Sequence, residues 1–183
     1  MPVTDYERLM SAVMKLQKTY NSKAFKYIYD ILSPKIYYTC LRYLKDTDEA
    51  QDALQESFVI IYEKIKTFGG NGSFEGWSKK IAVNHCIYRL KKRKINVELR
   101  EDHIPYTEQI EFDLYIEKNE TKNQLKQALQ ELPDGYRTII NLNILEGYSH
   151  IEIAQMLNIK EGTSRSQLNR AKAALRKLIS VKN

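Results

Sequence analysis

The chain has 183 residues, with 29 Lys and Arg against 23 Asp and Glu, a formal net charge of +6. That length holds one or two small domains, and the charge suits an anionic partner without identifying one. No apolar run approaches the ~18 residues of a membrane helix, so no direct membrane insertion is expected. The amphipathic N-terminus also lacks the apolar core of a secretory signal.

Gly and Pro are scarce, with 7 and 4 copies, and long segments repeat at the helical period. The chain reads as all-α: two helical domains joined by a flexible linker, the C-terminal one a helix-turn-helix. The 13 tyrosines read mainly as rings that pack helices together with the hydroxyl at the edge. Cys40 and Cys86 form no Cys-x-x-Cys pair and lie in apolar periodic segments, so they read as buried thiols in a reducing cytoplasm.

The first domain is expected over residues 1–94, with helices near 4–20, 22–32, 34–45, 47–67 and 75–94. Pro34 after Ser33 suits a helix start. The 47–67 helix has a core stripe of Leu54, Phe58, Ile61 and Ile65. Its far side bears Glu49, Asp52, Glu56, Val59, Ile60 and Glu63. An acidic rim around an apolar centre suits a protein partner. The plainer alternative packs Val59 and Ile60 on a neighbouring helix.

The loop Thr67 to Ser73 contains three glycines and is bordered by Phe68 and Phe74, with Trp77 beyond. Flexible backbone beside aromatics and Asn71 could take up an unpaired base. The alternative makes Phe74 and Trp77 core anchors. The following helix has an apolar stripe of Val83, Cys86, Ile87 and Leu90. A second side carries Trp77, Ile81, Asn84, Tyr88, Lys91 and Lys92. Its end, YRLKKRK, suits nucleic-acid phosphates, or simply complements the helix dipole.

Residues 95–118 change character, with seven acidic residues, two basic ones and no helical period. They read as a linker. The second domain, 119–183, opens with a helix to about 131, interrupted by Leu132-Pro133-Asp134 and resumed to about Glu146. Ser149 and Glu152 then form a capping box. Ile151, Ile153, Ala154 and Leu157 follow at helical spacing, and Asn158, Glu161 and Gly162 give a turn. Thr163 is expected to cap the last helix, whose stripe is Leu168, Ala171, Leu175, Leu178 and Ile179. Ser166, Asn169, Arg170 and Lys177 oppose that stripe, flanked by Arg165, Lys172 and Arg176. Two short helices joined by a turn, the second with a basic outer face, describe a DNA-reading helix-turn-helix. A helix fits the major groove, where Arg pairs bidentately with guanine.

No catalytic constellation is present in the pattern, so no enzyme, metal or cofactor is expected. His85, His103 and His150 are scattered, and Gly69-Gly70-Asn71-Gly72 precedes no phosphate-loop Lys. Asp52 and Glu56 share a helix face without visible complement, which reads as a solvated or partner surface. His150 reads as an exposed first-turn residue.

Three stretches together resemble the extracytoplasmic-function (ECF) sigma factors of bacterial RNA polymerase. They are AFKYIYDILSPKIYYTCLRYLKDTDEAQDALQESFVIIYEKI from Ala24, FEGWSKKIAVNHCIYRLKKRK from Phe74, and LQELPDGYRTIINLNILEGYSHIEIAQMLNIKEGTSRSQLNRAKAALRKLI from Leu129. The resemblance implies that the first domain binds core polymerase and the promoter's minus-ten element, and that the second reads the minus-thirty-five element. It implies core-polymerase contacts at Asp52, Gln55 and Glu56, to which the apolar Val59 and Ile60 are added. Minus-ten contacts are expected from Asn71, Phe74, Trp77, Asn84, Tyr88, Arg89, Lys91 and Lys92. Minus-thirty-five contacts are expected from Thr163, Arg165, Ser166, Gln167, Asn169, Arg170 and Lys172. Gln167 and Asn169 stand where other members carry Arg or an aromatic. An anti-sigma factor is an expected partner, and the cytoplasm the expected location. The competing reading is a stand-alone helix-turn-helix regulator, which would need its own dimer interface or ligand pocket.

Overall fold

The computed structural model describes residues 4–93 and 122–180, and the linker expected at 95–118 lies outside them. All regular structure among the described residues is helical. The chain divides into two compact units, Met1–Arg89 and Leu90–Asn183.

In the first unit α1 spans Asp5–Lys18. A capping box starts it: Thr4 Oγ1 accepts from Glu7 N at 3.2 Å, and Thr4 N donates to Glu7 Oε2 at 2.8 Å. α2, Ser22–Leu44, is one continuous helix that contains Pro34. The sequence expectation is a separate helix starting at Pro34, since Pro is tolerated in a first turn, and an interior Pro removes a ladder bond at a cost of about 3 kcal/mol in isolation. Burial overrides that cost. Ile28, Leu32, Ile36 and Cys40 repeat every fourth residue across Pro34, and all are buried in one stripe. α2 packs along α1 and along α3, Thr47–Lys64. Rings fasten the far end of that contact. Phe25 meets Phe58 and Tyr62 edge-on, and Tyr29 packs on Phe58. A short 3-10 turn, Ile65–Thr67, ends α3. α4 then runs Phe74–Lys92, so its last three residues, from Leu90, fall past the division between the units. Cys40 and Cys86 are both free and buried, and their thiols meet where α2 faces α4.

In the second unit α5 is Lys122–Glu131 and α6 is Asp134–Ile140. α6 widens into a π-type turn over Asn141–Leu145, closed by Glu146 N donating to Asn141 O at 2.9 Å. Gly147 follows with φ +75°, a conformation that disfavours any side chain. α7 spans His150–Leu157 and α8 spans Glu161–Ser180. The capping box of Ser149 and Glu152 is in place on α7, and Asn158 ends that helix in the left-handed region at φ 58°. The core joins Ala128, Leu132, Ile139, Ile140, Leu168, Ala171, Leu175 and Ile179.

Arg137 lies inside this unit, 1 % exposed. Its Nη1 donates to Leu132 O at 3.0 Å and its Nη2 to Asp134 Oδ1 at 2.6 Å. Burial pushes its pKa below the usual value, while the hydrogen bond and charge of Asp134 oppose that shift. The guanidinium thus ties the first turn of α6 to the end of α5 across the Pro133 break.

Candidate nucleic-acid and polymerase interfaces

On α3, Asp46 caps the helix by accepting from Asp48 N and Glu49 N, which fixes where its acidic face begins. Ala50, Ala53, Leu54, Ser57, Phe58 and Ile61 turn inward. Asp52, Gln55 and Glu56 turn outward, Ile60 is half-buried, and Val59 is 57 % exposed. A valine that the fold leaves open beside carboxylates and an amide is the composition expected of a docking surface. The carboxylates do have a complement, which the sequence reading missed. Glu56 Oε2 accepts from His85 Nε2 at 2.6 Å and lies 3.3 Å from Arg89 Nη1, and Asp52 Oδ2 lies 3.9 Å from Arg89 Nη2. Spacing within α3 could not reveal these cations, because they come from α4.

The loop before α4 is set by residues on both sides. Gln17 of α1 donates to Ile65 O at 3.0 Å and Phe68 O at 2.9 Å, which pins the end of α3. Gln17 carried no sequence signal, since its partners are backbone oxygens 48 and 51 residues away. Gly70 and Gly72 take φ +79° and +86°, and Asn71 stands exposed between them. Ser73 caps α4 by accepting from Gly76 N at 3.0 Å.

Phe74 is buried and stacks on Trp77, with Phe68 against both rings. It therefore offers no face to a base, and the core-anchor alternative describes it. Trp77 is half-buried and packs against Phe68 and Phe74. From there α4 presents Asn84 and Tyr88 outward, then Lys91 and Lys92 at its exposed end. Rings, an amide and ammonium groups on one helix side can stack a base, read its edge and pair phosphates. Arg89 departs from that set. It is half-buried and paired with α3, so in this state it faces the carboxylates.

α8 starts at Glu161, two residues before the expected cap, with Ser164 N donating to Lys160 O at 3.1 Å. Thr163 is thus a half-buried first-turn residue, and its carbonyl accepts from Ser166 Oγ at 3.0 Å. Arg165, Ser166 and Asn169 are exposed and Arg170 is half-buried. The Arg165 guanidinium is held by Glu161 Oε1, at 3.2 Å from Nε and 2.5 Å from Nη2. Gln167 is 2 % exposed and Lys172 is buried too, so neither stands on the open face expected for it. The reason is coverage. α5, α6 and α7 all pack on α8, so its buried arc is wider than the stripe one neighbour would need.

His150 is half-buried rather than exposed. Its Nδ1 shares a 2.9 Å hydrogen bond with Ser164 Oγ, which joins the first turns of α7 and α8. Burial pushes its pKa down, Arg165 and Lys172 push the same way, and Glu161 opposes them. Among the described residues, no group of His, Cys, Asp and Glu could hold a metal ion, and no helix is long and apolar enough to cross a membrane.

The comparisons with known proteins agree with this layout. Residues 28–95 match the family model for sigma-70 region 2, and residues 122–175 match that for sigma-70 region 4. The ECF RNA polymerase sigma factor SigW of Bacillus subtilis is 35% identical over 182 residues, covering 93% of this chain and 97% of that protein. The RNA polymerase sigma-H factor of Pseudomonas aeruginosa is 30% identical and covers 79% of this chain and 80% of its own. Among solved structures, the sigma factor RpoE of Bartonella quintana, in complex with the anti-sigma factor NepR, shares the fold. Its TM-score is 0.54 at 22% identity, over 88% of this chain and 99% of that one. With both sigma-70 regions in order and a full-length relative at that identity, the chain belongs to the extracytoplasmic-function sigma factors.

Proposed function

We propose that this chain is a non-catalytic promoter-specificity subunit that works on core RNA polymerase in the cytoplasm. The observation that carries the reading is the presence of two unlike exposed helix sides suited to nucleic acid, one on α4 and one on α8. α4 offers Trp77, Asn84 and Tyr88 with Lys91 and Lys92, beside the Asn71 loop, which suits an unpaired strand of the minus-ten element. α8 offers Arg165, Ser166, Asn169 and Arg170, which suits base edges and phosphates of duplex minus-thirty-five DNA. Thr163 supports that face through its backbone. The inward placement of Gln167 and Lys172 leaves them supporting roles.

The α3 surface of Asp52, Gln55, Glu56, Val59 and Ile60 is assigned to polymerase docking. Two weak DNA elements read from one scaffold gain affinity by avidity, so free protein should bind promoter DNA weakly. Unstacking costs a few kcal/mol per base, and stacking on the α4 rings at about 1–3 kcal/mol per base offsets it. A stand-alone regulator is not favoured, because it gives no role to the sigma-70 region 2 match over residues 28–95. An anti-sigma protein is a further partner on this reading, supported by the NepR-bound relative.

The test is run-off transcription with purified core polymerase on genomic fragments, with and without the protein. New start sites that depend on it are expected. Their absence, together with failure to co-purify with polymerase, would sink the reading.

A further inference from the structure

A carboxylate stands at the start of the α8 face that is assigned to duplex DNA. Glu161 is the first residue of the helix, and Arg165 follows one turn later. Glu161 Oε1 accepts from Arg165 Nε at 3.2 Å and from Nη2 at 2.5 Å. The two side chains are 42 % and 63 % exposed. An ion pair this open adds little to stability. Its consequence lies in what it does to the guanidinium.

A guanidinium presents a fork of N–H donors on each edge. Glu161 occupies the edge shared by Nε and Nη2. The edge between Nη1 and Nη2 makes no other hydrogen bond among the described residues, and Arg165 is exposed together with Ser166 and Asn169. In shape, that open fork fits O6 and N7 of guanine and fits a phosphate equally well. The carboxylate tells the two apart. A phosphate brings a full negative charge, which the carboxylate repels, and it meets a cation whose charge is already compensated. A guanine edge carries no net charge and needs only the two donors.

We propose that Glu161 sets the specificity of the recognition helix by turning Arg165 from a phosphate anchor into a reader of guanine. This rests on the reading of α8 as the minus-thirty-five face. Glu161 is then a positioning residue: it touches no base and acts through Arg165. Random duplex gains little from Arg165, while a guanine in register meets a preset fork.

The test uses holoenzyme, assembled from core polymerase and the full chain, with a duplex library randomised across the upstream element and sequenced before and after capture. The parent should enrich a guanine whose preference falls about tenfold in Arg165→Ala. Glu161→Gln keeps the size and the acceptor oxygen but loses the charge. It should lower the same preference about fivefold, the lower end for a bidentate base contact. In parallel, the full chain alone is titrated with a mixed-sequence duplex across a salt series. Glu161→Gln should bind that duplex more tightly and steepen the salt slope by ~0.9, the value for one more phosphate pair on duplex DNA. In an Arg165→Ala background it should do neither. Three results overturn the proposal. One is a guanine preference that does not depend on Arg165 or does not change in Glu161→Gln. Another is an equal gain in random-duplex affinity without Arg165, which marks a general charge effect. The third is loss of a cytosine preference that is independent of Arg165, which would make Glu161 itself the base contact. A parent holoenzyme that enriches no upstream sequence would instead count against the reading of α8, so the two failures are distinguishable.

Discussion

α4 and α8 solve related problems with different chemistry. Both are long helices that bury one side, and the other side of each is the one proposed to meet nucleic acid. On α4 the outward residues are rings and ammonium groups, with Tyr88 60 % exposed. On α8 they are a hydroxyl, an amide and two guanidinium groups, with the Arg165 fork oriented by Glu161 of the same helix. A ring is useful where bases are unstacked and present a π-face. Compact polar groups are useful where a helix must enter a groove and meet base edges. The bracing differs as well. α4 takes its counter-charges from another helix, α3. α8 carries its own carboxylate, so its face is set locally.

The firmest way to separate the two regions is to unfold one of them. Arg137→Met removes a buried guanidinium that serves both Leu132 O and Asp134. The loss should be about 3 kcal/mol, the lower end for breaking a buried pair, because Asp134 keeps some contact with water. Thermal unfolding of the full chain should show the second unit melting early. Duplex recognition should fall with it, while association with polymerase and single-strand binding persist. Coincident loss of all three would mean that the faces are not independent.

Two substitutions on the faces themselves should have smaller and complementary effects. Arg170→Ala should weaken binding of the upstream element by about 2 kcal/mol, the middle of the range for a bidentate base contact, and leave polymerase association intact. Footprinting of the holoenzyme with competitor DNA would measure it. Tyr88→Ala should cost roughly 1.5 kcal/mol of strand capture, as for one base stacked on one ring. Permanganate reactivity of unpaired thymines should fall while upstream protection holds. If Tyr88→Ala moved the upstream footprint, or Arg170→Ala the permanganate signal, the division of labour between α4 and α8 would be wrong.

Much of this was legible in the sequence, and the misses share a cause. The two-sided pattern of α4, the capping box at Ser149 and the outward set Ser166, Asn169 and Arg170 depend on spacing within a single helix, which periodicity reports. Pro34, Gln167, Arg89 and Phe74 depend on what neighbouring helices do. Burial along α2 carries the chain through Pro34. Three helices around α8 draw in Gln167 and Lys172. The carboxylates of α3 claim Arg89, and Phe68 with Trp77 closes over Phe74. Apart from the contact of Phe74 with Trp77, which lies within one helix and which the core-anchor alternative foresaw, each is a tertiary contact between residues whose separation in sequence carries no pattern. His150 belongs to the same group, since Ser164 is its partner from the next helix.

His150 gives the smallest expected effect, and its sign follows from its surroundings. Burial and the charges of Arg165 and Lys172 depress its pKa in the folded chain below the value of about 6.5 for a free imidazole. A depressed histidine favours folding while it is neutral. That contribution is complete above the unfolded pKa and is lost as pH falls through the folded one. Acidification from pH 7.5 to 5, a window chosen to bracket that range, should therefore lower the melting temperature of the second unit. His150→Gln keeps a polar group for Ser164 but cannot take up a proton, so it should flatten this dependence. If the second unit of His150→Gln kept the same pH slope as the parent, the imidazole would not be the group that responds. The joint between α7 and α8 would then owe its set to the apolar contacts of Leu157 and Ile159 with the core rather than to this hydrogen bond.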